Sequence, residues 1–231
     1  MRQRAAFFFP VPAVALLLVA CAFGISPAQA ASHAASTAQA RIDDATNVID
    51  EMKQDPHLEH LLEHAQGVFV IPHFRKGALI VGGLGGGGVV VMRHGNHWSD
   101  PAFFNLAGGS VGLQAGGSGG EVAMILLTPR AVRRFENSTS AWTLSGNAGL
   151  SIVNYGGTAH TGTKGDVILW TDRRGLYGGL TAGVTHISPD PKLDRAYYQH
   201  FAGTRQILAG AARHEQANGL RGALTTRVAT K

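Results

Sequence analysis

Cysteine is almost absent from this sequence. The 231 residues include one cysteine, Cys21, so a disulfide within the chain is excluded. A zinc site built from several cysteine thiolates is excluded as well. The hydrophobic core must therefore supply the stability of the folded chain, and about 200 residues are enough for one domain with a substantial core.

Charged residues are also few, at 15% of the chain. The sequence has 20 Lys and Arg residues against 15 Asp and Glu residues, and the basic residues are scattered rather than gathered into an arm. This pattern argues against nucleic-acid binding. The mild basic excess is compatible with attraction to an anionic surface.

The N-terminus has the layout of a secretory signal peptide over residues 1–30. Arg2 and Arg4 precede an uncharged apolar run, and Ala-Gln-Ala at residues 28–30 resembles a cleavage site. Pro10 and Pro12 interrupt this run, and the remaining stretch, residues 13–25, is too short to cross a bilayer as an uninterrupted helix of about 20 residues. We therefore expect export to the periplasm or cell envelope. Removal of residues 1–30 leaves 18 basic and 15 acidic residues, a formal charge of +3.

A second interpretation of the N-terminus uses Cys21. Residues 18–21, Leu-Val-Ala-Cys, fit a lipobox, in which the cysteine becomes the lipidated first residue of an anchored protein. The residues after Cys21 stay apolar, whereas a lipoprotein usually turns polar there. Ordinary cleavage before Ala31 is therefore favoured, and lipidation of Cys21 is the alternative.

Hydrophobic periodicity divides the remaining chain into three segments. Residues 31–66 form a helical segment, residues 67–215 a β-rich domain with a C-terminal helix, and residues 216–231 a tail that we expect to fray. Within the first segment, Asp55 before Pro56 predicts the start of a second helix, because Asp is a good N-cap and proline is favoured at the first helical position.

Short runs of valine, isoleucine and leucine between turn residues predict the strands. The predicted strands are residues 67–71, 78–81, 89–92, 110–115, 122–127, 167–170 and 176–184. Thr128 before Pro129 predicts one short inserted helix, and helical spacing returns from Pro191. The sequence therefore predicts an α+β fold. Its centre is an antiparallel glycine-rich β-barrel or sandwich, accompanied by N-terminal helices, the inserted helix and a C-terminal helix.

Glycine is abundant, with 31 residues, and it produces three kinds of apparent catalytic motif. Residues 108–112 and 116–120 match G-x-S-x-G, residues 83–88 match G-x-G-x-x-G, and residues 157–164 approach a P-loop. The first two motifs require a helix after the loop, but this sequence predicts strands. The third lacks the Gly-Lys-Ser/Thr order. We therefore expect neither an enzyme nor a cofactor, and we interpret the glycines as allowing tight packing in a curved sheet.

Three histidines lie on one predicted helix. His57, His60 and His64 would share one face, where imidazoles bind Zn²⁺ or create a switch near pH 6. The alternative is a solvated polar face interleaved with Glu59 and Glu63. No cysteine and no well-spaced second cluster completes a metal site, so the solvated face is favoured and no metal is expected.

Several short segments of the β-rich region occur in a distinctive order. They are residues 65–72 (AQGVFVIP), 77–83 (GALIVGG), 98–104 (WSDPAFF), 108–116 (GGSVGLQAG), 166–170 (DVILW), 175–180 (GLYGGL) and 197–198 (YY). In this order and spacing they resemble the SYLF domain family of lipid-binding proteins, over about two thirds of the chain that follows the signal peptide. Residues 181–186 depart from the usual ending of the last hairpin.

The resemblance implies a non-catalytic domain that binds phospholipid, often anionic phosphoinositide in eukaryotic members, with actin binding in some of them. Actin is not expected in a bacterial envelope. The expected partner is therefore a phospholipid or membrane surface. The alternative is a structural or protein-interaction component of the envelope, without lipid specificity, that binds an envelope protein. Basic residues in predicted turns or in the inserted helix are the candidate headgroup contacts. They are Arg75, Lys76, Arg130, Arg133, Arg134, Arg173 and Arg174.

Overall fold

The computed structural model describes residues 27–78, 81–111, 116–144, 150–155, 165–173, 184–199 and 203–225. Its α-helices are α1 (Pro27–Met52), α2 (Pro56–His64), α3 (Pro129–Glu136), α4 (Pro191–Tyr198), α5 (Thr204–Leu208) and α6 (Asn218–Leu224). A 3₁₀ turn, Glu215–Ala217, precedes α6. Among these helices, none combines the length and the apolar character that a membrane crossing requires. Cys21, Arg174 and most of the predicted signal peptide lie outside the described residues.

The described strands form one curled, mostly antiparallel sheet that resembles half of a barrel. They are β1 (Gly67–Ala78), β2 (Val81–His94), β3 (His97–Trp98), β4 (Ala102–Val111), β5 (Gly116–Leu126), β6 (Trp142–Leu144), β7 (Ile152–Asn154), β8 (Val167–Thr171) and β9 (Val184–Pro189). Their order is β6-β9-β4-β2-β1-β5-β8-β7, with β3 paired to β2. Only the short β7–β8 pair among them is parallel. The predicted α+β class is confirmed.

The N-terminal helices follow the predicted pattern. The stripe on α1 is buried, and it consists of Ala38, Ile42, Ala45, Ile49 and Met52. Helix α2 begins where Asp55 and Pro56 predict, and the Asp55 side chain accepts a hydrogen bond of 2.8 Å from the His57 backbone N–H. Helix α1 packs against β1, β2, α4 and α6, so the apolar stripe covers one face of the sheet.

The strands are longer than the apolar runs alone predict. Strand β1 continues through Arg75 and Lys76, which were expected in a turn, and Arg75 pairs with Gly85 and Gly119 on its two neighbours. The expectation was wrong because glycine-rich partners let the ladder extend without apolar side chains. Most of β4 was also missed. Of the predicted strand 78–81, Ala78 ends β1 and Val81 begins β2, and residues 79–80 lie outside the described residues.

Glycine is required where two strands lie closest together. A Cβ atom on Gly88 in β2 would lie 2.1 Å from the backbone oxygen of Val70 in β1. By contrast, a Cβ atom on Gly83 would meet nothing within 4 Å. Tight packing of the strands therefore requires glycine at position 88, as the interpretation of a tightly packed curved sheet predicts, but it does not require glycine at position 83.

The described part of the predicted tail, residues 216–225, contains the end of a 3₁₀ turn and helix α6. Helix α6 buries Leu220 and Leu224, and the Leu224 carbonyl accepts a 3.1 Å hydrogen bond from Trp98 Nε1. Arg221 forms an ion pair with Asp100, which is fully buried. These contacts join residues more than 100 positions apart, so the local sequence does not indicate them. The single predicted C-terminal helix is divided into α4 and α5, and Phe201 lies outside the described residues.

Candidate functional site: the basic pocket beside helix α3

Helix α3 presents its basic residues to solvent because its apolar side faces the core. Thr128 caps the helix by accepting a 3.3 Å hydrogen bond from the Ala131 backbone N–H. Phe135 is buried and meets the rings of Phe69 and Phe104 edge-on, with centroids 5.6 and 5.5 Å away. The three arginines on the opposite side of the helix, Arg130, Arg133 and Arg134, are all exposed.

These arginines line a pocket of about 560 Å³ on the surface. Its other walls come from the segment after α3, from the start of β6 and from a residue before β7, and they consist of Asn137, Ser138, Thr139, Ser140, Ala141, Trp142 and Leu150. The wall thus combines guanidinium groups with hydroxyl and amide groups. Such donors suit an anionic oxygen cluster, because arginine pairs bidentately with phosphate and hydroxyls add further hydrogen bonds.

Arg130 is held by a buried carboxylate. Asp166 accepts a 2.6 Å hydrogen bond from Arg130 Nη2, and it also accepts from the Ser151 backbone N–H at 2.8 Å and from Thr128 Oγ1 at 2.6 Å. The hydrogen bonds from Ser151, Thr128 and Arg130 lower the pKa of Asp166 to about 2. Asp166 therefore stays ionised at neutral pH and offsets the charge of Arg130.

Arg133 and Arg134 carry the other two positive charges of α3. The Arg134 guanidinium lies 5.6 Å from the centre of the Trp142 ring, and Trp142 meets Phe135 edge-on. Within the described part of the chain, Arg133 makes no ion pair. Arg205 from α5 reaches the same end of α3, where it donates to the Glu136 carbonyl at 3.4 Å and to the Asn137 side chain. Arg205 was not among the sequence-predicted residues, because only the packing of α5 on α3 brings it here.

Arg75 and Arg173 meet at a second, smaller pocket of about 300 Å³. This pocket also contains Glu121, Asp172 and His73. Asp172 pairs with Arg173 at 3.4 Å and accepts a 2.8 Å hydrogen bond from the Glu121 backbone N–H. Asp172 offsets the charge of Arg173, and Glu121 adds a second acidic group, so this pocket is less suited to an anion than the one beside α3.

The Glu121 carboxyl in the second pocket holds its proton to a higher pH than an ordinary glutamate does. Burial, together with the charges of Glu51 and Asp172, raises the pKa of Glu121 to about 7. Lys76 does not line this pocket, since neighbouring residues of a strand point to opposite faces of the sheet. Arg75 therefore lines the second pocket, and Lys76 does not.

The histidines of α2 group differently from the predicted set. His60 and His64 lie together with Glu63, and one ligand atom from each of the three lies within 4.8 Å of the other two. His57 is exposed on the same helix but does not join the group. The spacing of Glu63, three residues after His60, was the available signal.

A family model described as "Ysc84: Las17-binding protein actin regulator" matches residues 107–227. The matched range includes α3, both walls of its pocket and Arg205, whereas α2 and Arg75 precede it.

Curated relatives extend the similarity toward the N-terminus. Protein YSC84 of Saccharomyces cerevisiae is 27% identical over 157 residues, which cover 65% of this chain and 33% of the yeast protein. LAS seventeen-binding protein 3 of the same yeast is 26% identical over 159 residues, covering 66% of this chain and 34% of that protein. SH3 domain-containing YSC84-like protein 1 of Xenopus laevis is 28% identical over 157 residues, covering 65% and 46%. The chain thus spans between a third and a half of the length of these relatives. No solved structure matches it.

Proposed function

Because this chain belongs to the Ysc84 (SYLF) family, we propose that it is a non-catalytic binding module that attaches to anionic phospholipid at the bacterial cell envelope. The observation that carries the proposal is the basic pocket beside α3. Arg133 and Arg134 lie there with three hydroxyl side chains, and Asp166 is paired with Arg130.

The chemistry of the pocket suits a phosphate headgroup. A phosphodiester offers charged oxygens to guanidinium groups and accepts hydrogen bonds from hydroxyls such as those of Thr139 and Ser140, whereas the Ser138 hydroxyl donates to the Ser140 carbonyl at 3.0 Å. Each basic residue near an anionic leaflet contributes about 1 kcal/mol, so two or three of them give reversible attachment. The fit is to a membrane surface rather than to a buried ligand, because the pocket opens to solvent on an exposed helix.

The proposed location follows from the N-terminal sequence. The signal-like residues 1–30 support export, either with cleavage before Ala31 or with lipidation of Cys21. Mass measurement of the N-terminus of the protein from its native host distinguishes the two forms. A chain that keeps Met1 would contradict export by either route.

Co-sedimentation with liposomes tests the lipid proposal. We expect recovery with vesicles of phosphatidylcholine and phosphatidylglycerol and little recovery with phosphatidylcholine alone. Binding should weaken steeply as salt rises from 0.15 M to 1 M, because the Debye length falls from about 8 Å to about 3 Å.

The matched variants each remove two positive charges. Loss of Arg133 and Arg134 in R133Q/R134Q should weaken binding about 30-fold, the equivalent of about 2 kcal/mol. The control R75Q/R173Q should change binding much less, because those arginines lie among acidic groups. Equal effects of the two variants would remove the α3 pocket from the proposal, and equal recovery on both vesicle types would contradict anionic lipid binding.

A protein partner is the second candidate function. The family description and the name of one yeast relative both specify binding to a protein, Las17. The match covers about a third of that relative, so its binding belongs to a longer protein. If the chain fails to bind either vesicle type, the same basic surface would instead serve an acidic envelope protein.

A further inference from the structure

Helix α2 carries a group of metal-binding side chains away from the proposed lipid site. His60 and His64 are one helical turn apart, so their imidazoles project from the same side of the helix, with ring centroids 4.4 Å apart. Glu63 lies beside them, with Oε2 3.4 Å from His60 Nδ1. We propose that His60, Glu63 and His64 bind a divalent transition-metal ion, with Zn²⁺ as the probe.

The donor set suits zinc more than a hard cation. Two imidazoles and one carboxylate are common zinc ligands, whereas Ca²⁺ and Mg²⁺ prefer oxygen donors alone. Two ligands of a tetrahedral zinc ion lie about 3.4 Å apart, given bonds of about 2.1 Å. The three ligand atoms already lie within 4.8 Å of one another, and all three side chains are exposed. Small side-chain rotations therefore close the site without moving the backbone.

A hydrogen bond orients His64 for this role. Its Nδ1 lies 2.9 Å from the His60 carbonyl oxygen. A carbonyl only accepts, so in the neutral imidazole Nδ1 carries the hydrogen and Nε2 carries the lone pair. Metal-binding histidines are usually oriented in this way, with one ring nitrogen donating to a carbonyl or carboxylate while the other binds the ion.

The local charge favours a cation, with one opposing group. Helix α2 ends at His64, and the C-terminal end of a helix carries partial negative charge. Glu63 adds a full negative charge. Arg93 opposes the ion, because its positive charge lies close to the site. Its guanidinium donates to the Leu62 and Ala65 carbonyls and interacts with Glu63. An open site on one helix next to this arginine predicts reversible rather than tight binding.

Calorimetric titration of the protein with ZnCl₂, without a polyhistidine tag, tests the proposal. We expect one site in the wild type and at least ~10-fold weaker binding in H60A and in H64A. E63Q should weaken binding by a smaller factor, about 3-fold, since it removes one ligand charge but no imidazole. H57A is the matched control, because His57 is exposed on the same helix outside the group, and its affinity should equal that of the wild type.

A second measurement keeps the result independent of calorimetric heat. Zn²⁺ should raise the Tm of the wild type and of H57A, since a ligand that binds only the folded state stabilises it, and should not raise that of the double variant H60A/H64A. Unchanged circular dichroism establishes that the variants fold. The proposal is overturned if millimolar Zn²⁺ neither binds nor stabilises the wild type. It is also overturned if H57A loses as much affinity as H64A, or if the double variant keeps the wild-type affinity.

Discussion

Asp166→Asn is the substitution that should most directly weaken the attachment of α3 to the sheet. The Asp166 side chain is 5% exposed and joins Ser151 before β7, Thr128 at the cap of α3, and Arg130 on α3. Asparagine keeps the shape but replaces one acceptor oxygen with an NH₂ group that faces donors. The variant thus loses the charge and at least one of these hydrogen bonds.

The lowered pKa of Asp166 sets the size of the effect. A carboxyl group whose pKa falls from 3.8 to about 2 on folding contributes about 2 kcal/mol to the free energy of unfolding at neutral pH. The unfolded chain binds the proton more readily, so this contribution is complete above about pH 4 and is lost as the pH falls through 2. D166N should therefore lower the free energy of unfolding by about 2 kcal/mol at pH 7, and the difference from wild type should shrink toward pH 2.

Urea unfolding at pH 7 and at pH 2–3, followed by tryptophan fluorescence, measures the difference. The control is R130Q, which removes only the arginine. The Arg130 side chain is 62% exposed, so its ion pair is screened by water and R130Q should cost less than about 1 kcal/mol. The reasoning is refuted if D166N costs less than about 0.5 kcal/mol at pH 7. It is also refuted if R130Q costs as much as D166N, because the ion pair would then outweigh the hydrogen bonds from Ser151 and Thr128.

Three further substitutions test other parts of the structure. In E121Q the dependence of Tm on pH should flatten between pH 5 and 8. Burial raises the pKa of Glu121 to about 7, so the wild type loses about 1 kcal/mol of stability, after screening by solvent, as the pH rises from about 4.5 through 7. An unchanged pH profile in E121Q would contradict this. F135A should lower the free energy of unfolding by about 3–5 kcal/mol in urea titrations, because Phe135 fills the space between α3 and the sheet, and a loss below 1 kcal/mol would show that the space collapses. G88A should unfold or fail to express as soluble protein, since its Cβ would overlap the Val70 carbonyl. In the control G83A the free energy of unfolding should stay within about 1 kcal/mol of the wild-type value. Equal behaviour of the two variants would refute the close approach of β1 and β2 at Gly88.

Local chemistry was sufficient to predict where several helices begin. Asp55 before Pro56 and Thr128 before Pro129 each place a cap next to a residue with a fixed φ, and the structure confirms both starts. The buried stripe of α1 was predictable for the same kind of reason, because residues three to four apart share one face of a helix. These features depend on neighbours within one or two turns, and one sequence contains that information.

The strand ends and the C-terminal segment could not be predicted in this way. Arg75 and Lys76 resemble turn residues, yet their backbone is paired on both sides by strands that lie next to them only in the folded sheet. Leu220 and Leu224 lie in a short helix, and the Leu224 carbonyl and Arg221 join this helix to Trp98 and Asp100, more than 100 residues earlier. Because such contacts join residues that are far apart in the sequence, they produce no hydrophobic periodicity in the local sequence from which they could be predicted.

The sequence by itself determined the composition of the candidate site: an inserted helix with three arginines, capped by Thr128. Only the tertiary structure decided how those charges act. It pairs Arg130 with Asp166, which follows α3 by about 30 residues, and it brings Arg205 from α5 to the end of α3. It also places Arg75 and Arg173 among carboxylates, because β1 and β8 are both neighbours of β5. The charge of a surface is a sum over groups that are close in space, and closeness in space between distant segments is set by the order of strands in the sheet.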